Sequence, residues 1–139
     1  MIVYCTANFI SHIGQLSKNN SYSAILDDVC LYFSDKDIEE LHITKDTLSI
    51  SPQKYSLNKY RIINTISNKG KSSSYRCICA CYPPNNVLII DTIYPKTGSD
   101  GIDNLSKEAY KTIAKNIKNS LERNELYILD IATKKMTRK

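Results

Sequence analysis

The apolar positions change spacing partway along the chain. Met1-Ile2-Val3-Tyr4-Cys5 opens it and reads as a first β-strand. From Ala7 to Leu16 the apolar residues Phe9, Ile10, Ile13 and Leu16 recur at helical spacing, and Asn19-Asn20 breaks the run. Ser21 is a suitable N-cap for a second helix through Phe33, with Ile25, Leu26 and Val29 on one face. Asp35 to Leu41 reads as a further helical turn, and His42 to Asn58 mostly as loop. Beyond Asn58 the pattern becomes β-rich. Tyr60 to Ile66 predicts a strand, Asn68 to Ser74 a loop, and Tyr75 to Tyr82 a second strand. Pro83-Pro84-Asn85-Asn86 is a turn. Val87 to Tyr94 is a third strand, apolar enough at its start to be central in a sheet. Pro95 to Asn104 is a loop.

Ser106 then caps a helix with Glu108 in its first turn, and Tyr110, Ile113, Ala114, Ile117 and Leu121 form its apolar stripe. Leu126 to Ile131 is apolar but fits helix and strand equally. Residues 133–139 read as a flexible basic tail. These elements predict one α+β domain over residues 1–139. It has a small, antiparallel-dominated twisted sheet, an N-terminal helical hairpin and a C-terminal helix, with the helices on one face.

Composition adds limits. Apolar residues make up 42%, enough for one modest core. No apolar run approaches the roughly 18 residues of a membrane span. The N-terminus lacks the basic start of a signal peptide, so a cytoplasmic protein is expected. The five cysteines, Cys5, Cys30, Cys77, Cys79 and Cys81, are odd in number and read as reduced packing residues. On a strand, Cys77 and Cys81 are about 13 Å apart. Zinc–sulfur bonds of about 2.3 Å do not span that, so no metal is expected.

The net charge of +5 matters less than its distribution. No acid occurs from Thr47 to Ile90, a stretch holding Lys54, Lys59, Arg61, Lys69, Lys71 and Arg76. Before it, Asp27, Asp28, Asp35, Asp37, Glu39, Glu40 and Asp46 outnumber Lys18, Lys36 and Lys45. Cations alternate with tyrosines in the basic stretch. If the third strand pairs with the second, Lys96 emerges at the sheet end nearer Arg76. Such a pocket suits a phosphodiester, and tyrosines offer stacking faces for unpaired bases. There is no phosphate-binding glycine loop or dinucleotide fingerprint. His12 and His42 lie outside the basic segment and read as ordinary structural or surface residues.

The order β-α-α-β-β-β-α resembles the RelE-like toxins, closest to their HigB branch. The residues that carry the likeness are Arg61, Lys69-Gly70-Lys71-Ser72, Tyr75-Arg76 and Ile93-Tyr94-Pro95-Lys96. It covers about residues 59–118, and Ser72-Ser73-Ser74 stands where the family usually has glycines. The resemblance implies a RelE-like fold and a toxin of a type II toxin–antitoxin system. It also implies mRNA cleavage, often in the ribosomal decoding site, without a metal or other cofactor. The RNA 2′-hydroxyl would be the nucleophile. Arg76 would clamp the phosphate, Lys71 or Lys69 would be general base, and Arg61 and Lys96 would hold flanking phosphates or protonate the leaving oxygen. Lys59, Tyr75 and Tyr94 would contact RNA. Expected partners are mRNA, the ribosome and a cognate antitoxin. A gyrase-binding ParE-like protein and a non-catalytic RNA-binding module are the alternatives.

Overall fold

Two side-chain alternations run along the strands, and each meets a different set of helices. The computed structural model describes residues 1–51, 54–67, 74–96 and 104–139. Its strands are β1 (Ile2–Thr6), β2 (Thr47–Ile50), β3 (Ser56–Ile62), β4 (Tyr75–Tyr82), β5 (Val87–Pro95), β6 (Leu126–Asp130) and β7 (Lys135–Arg138). Its helices are α1 (Ala7–Leu16), α2 (Ile25–Phe33), α3 (Ile38–Leu41) and α4 (Lys107–Glu122). All seven strands join one sheet in the order β2-β3-β4-β5-β1-β6-β7. β1 and β5 are parallel, and the other neighbouring pairs are antiparallel. The fold is therefore α+β with a mostly antiparallel sheet, and β5 is its central strand. No helix among the described residues is long and apolar enough to cross a membrane.

β4 shows the two faces most directly. Cys77, Cys79 and Cys81 point toward α1, α2 and α3, into a core with Phe9, Val29 and Phe33. Ile78 and Ala80 point the other way, against Ile113 and Ile117 of α4. Helices thus cover both faces, not one as the sequence suggested. All five cysteines are buried free thiols. Burial raises the Cys5 thiol to about 12 and pushes Cys79 well up too.

Several elements depart from expectation. The predicted loop His42–Asn58 contains β2 and the start of β3. β2 is a short edge strand with little apolar weight. Its anchor is polar, the Thr47 hydroxyl donating to buried Asn58 Oδ1 at 2.6 Å. The second helix starts at Ile25, not after Ser21. Residues Asn20–Tyr22 form a 3₁₀ turn capped by Asn19, and buried Tyr22 sets its ring edge-on to Tyr75 at 6.0 Å. The stretch 133–139 is not a loose tail, since it contains β7. Met136 packs toward the core, and Lys139 N–H donates to Leu126 C=O at 3.0 Å. The Ser106 cap matches its sequence signal, and a second cap emerges in the structure. Ser106 Oγ accepts from Ala109 N–H at 3.1 Å to start α4, and Asp37 with Glu40 forms a capping box on α3.

Candidate nucleic-acid interface

Antiparallel pairing sets Arg61 of β3 opposite Arg76 of β4, and Arg76 opposite Tyr94 of β5. The three form a row across the sheet. Directly opposed cross-strand residues have Cβ atoms about 4.5–5.5 Å apart, and like charges there are unfavourable without an intervening anion. Lys59 lies two residues before Arg61 and shares its side of β3. Lys96 N–H donates to Ser74 C=O at 3.4 Å, so Lys96 does emerge at the sheet end beside Arg76. Lys69 and Lys71 lie outside the described residues.

Arg61 is exposed and Arg76 is only 6% exposed. The Arg76 guanidinium makes one long hydrogen bond, from Nη1 to Tyr75 C=O at 3.4 Å, and no ion pair among the described residues. Burial holds its pKa below the usual arginine value, and neighbouring Arg61 lowers it further. Tyr94 and Asp46 oppose that shift. A partly desolvated guanidinium with unbonded donors and no carboxylate partner favours an anion brought to those donors. Asp46 tempers the picture of an acid-free surface. It borders the same shallow depression as Lys59 and Arg61, and its C=O accepts from Lys59 N–H at 3.4 Å.

The tyrosines do not offer the stacking faces expected of them. Tyr75 points to the opposite face from Arg76 and is fully buried against Tyr22. Strand alternation puts it there, since neighbours in a strand face opposite ways. Tyr94 is on the cation face but 4% exposed, and burial raises its hydroxyl to about 12.

A second polar group lies beside the row and was not read from the sequence. Ile78 pairs with Thr92 and Cys79 with Ile90, so Asp91 has no partner and is the bulged residue of β5. Its fully buried carboxylate accepts four hydrogen bonds, all from uncharged donors. Oδ1 takes Thr6 Oγ1–H at 2.7 Å and Asn116 Nδ2–H at 2.6 Å. Oδ2 takes Thr92 Oγ1–H at 2.7 Å and Asn8 Nδ2–H at 3.3 Å. One helical turn beyond Asn8, His12 Nδ1 accepts from Ile93 N–H at 3.4 Å. Burial lowers the His12 pKa, while Asp91 acts to raise it. A lone acid in the apolar run Val87–Tyr94 was the available sequence signal. His12 gave none, because its approach to β5 depends on the β1–β5 pairing.

No protein-family model, curated protein or solved structure matches this chain.

Proposed function

We propose that the chain binds RNA, with a backbone phosphate held between Arg76 and Arg61. Arg76, whose residue is 6% exposed, carries this reading. It has unused donors, no carboxylate partner among the described residues, and a second arginine directly across the strand pair. A planar fork matches two phosphate oxygens. Lys59 and Lys96 lie where they extend the contact along the strand.

The sharper form of the proposal is metal-independent RNA cleavage by a type II toxin with a RelE-like fold, as the likeness over residues 59–118 implies. The 2′-hydroxyl attacks the adjacent phosphorus and the 5′-oxygen leaves. Lys71 or Lys69 takes the hydroxyl proton, and Arg61 or Lys96 returns one to the leaving oxygen. Arg76 balances the charge on the phosphorane. One observation favours the second reading, a non-catalytic RNA-binding module. The seven-stranded sheet is larger than the small sheet that the likeness implies.

Incubating the purified chain with mRNA, alone and in a translating extract, separates the two. Cleavage in excess EDTA that leaves a 2′,3′-cyclic phosphate and a 5′-hydroxyl supports the toxin. Arg76→Ala then lowers the rate about 10²–10³-fold. RNA retention without cleavage in either setting leaves the binding module. Absence of both refutes the proposal.

A further inference from the structure

The helices that follow the two parallel strands leave on opposite faces of the sheet, α1 after β1 and α4 after β5. In open sheets this geometry opens a crevice outside the carboxyl ends of the two strands. Here it is a cleft of about 530 Å³, a size typical of small-ligand sites. β1 ends at Thr6, beside Asp91. Among the described residues, Thr92 to Pro95 of β5 therefore have no strand on that side, and they line the cleft.

The cleft's chemistry is specific. Among its described lining residues there is no lysine, arginine, aspartate or glutamate. The α1 wall presents Asn8, His12 and Gln15. His12 Nδ1 accepts from Ile93, so the ring proton sits on Nε2, which has no partner among the described residues. Asn8 uses its amide N–H groups on Asp91, which leaves its Oδ1 to accept. Gln15 can do both. The facing side is apolar, with Leu105 and Ile113. An uncharged wall of donors and acceptors opposite apolar surface suits a flat heteroaromatic ring. Tyr94 also lines the cleft and is the cross-strand neighbour of Arg76, so the cleft adjoins the cation row.

We propose that this cleft is a nucleobase pocket. It takes the base of an RNA nucleotide whose phosphate lies at Arg76, and Asn8, His12 and Gln15 read the base edge. The proposal rests on the RNA-binding reading above. The buried Asp91 network fixes the pocket's rim, holding Asn8 of α1, Thr92 of β5 and Asn116 of α4 on one carboxylate.

The test is an NMR titration of the isotope-labelled full chain with adenosine, guanosine, cytidine and uridine, none of which carries a phosphate. At least one nucleoside should shift the Asn8, His12, Ile93 and Thr112 amide signals saturably. Gln15 is exposed, so Gln15→Ala leaves folding intact and should weaken that binding about fivefold, as loss of one hydrogen bond implies. A short single-stranded RNA is titrated in parallel and should perturb both the cleft and Arg76. If the RNA binds and Arg61→Ala weakens it, but no nucleoside or RNA base perturbs the cleft, the base pocket is overturned and the RNA reading stands. If nucleosides fill the cleft but RNA does not bind, the RNA source is overturned and the cleft is a site for free nucleosides.

Discussion

The two ends of β5 differ in what they have on either side. From Leu88 to Ile90 the strand is paired with β4 on one side and β1 on the other, and all three side chains are fully buried. From Thr92 to Pro95 β4 is the one paired strand among the described residues. There the open edge is met by His12, the bulge turns Asp91 to four donors, and Tyr94 stands beside Arg76. One strand thus serves as core at its start and as the floor of a cleft at its end. The chemistry gathers where a strand loses its neighbour and its polar backbone must find other partners.

Mutations along this one strand sharpen the contrast. Asp91→Ala should have the largest effect, because it takes the carboxylate acceptor from the side chains of Thr6, Thr92 and Asn116 and leaves Asn8 only the backbone C=O at position 91. A loss of about 3–5 kcal/mol in urea denaturation is expected. One residue earlier, Ile90→Val removes only a methyl group from a dry core and should cost about 1 kcal/mol. Equal losses at the two positions would show that the Asp91 carboxylate contributes no more than ordinary core packing.

A pH series probes the site end alone. Burial lowers the His12 pKa in the folded chain, whereas an unfolded chain titrates near about 6.5. Between those values the unfolded state holds more protons. The His12 contribution to stability is therefore complete above about pH 6.5 and is lost as the pH falls through the folded value. Thermal melts of the wild type and His12→Gln should converge as the pH falls. Parallel melting curves would show that His12 is not buried as described. The smallest stability effect is expected at Gln15→Ala, within about 0.5 kcal/mol, since the side chain is exposed and helical alanine is favourable.

Much of this was legible in the sequence wherever local pattern decides structure. β4 runs from Tyr75 to Tyr82 as the apolar and cysteine run predicts, and Ser106 caps α4. Arg61 and Arg76 converge because consecutive strands pair antiparallel and the register sets the two residues opposite each other. What stayed hidden depends on distant partners. The hydrogen bond between Thr6 and Asp91 spans 85 positions, and nothing local announces that β1 lies parallel to β5. Without that pairing the cleft, the role of His12 and the open edge could not be read. β2 and β7 are four-residue edge strands whose burial is too slight to leave a strong alternation. The tyrosines misled for a simpler reason. Their strand positions were right, but Tyr75 faces the core.

In the proposed complex Arg61 and Arg76 share an RNA phosphate. The most direct test of that contact is the affinity of single-stranded RNA across a salt series, for the wild type and for the exposed-site variant Arg61→Ala. Log affinity should fall linearly with log salt, with weaker binding by the variant and a slope shallower by about 0.7 for one lost phosphate contact. Equal affinities and equal slopes would contradict the shared contact.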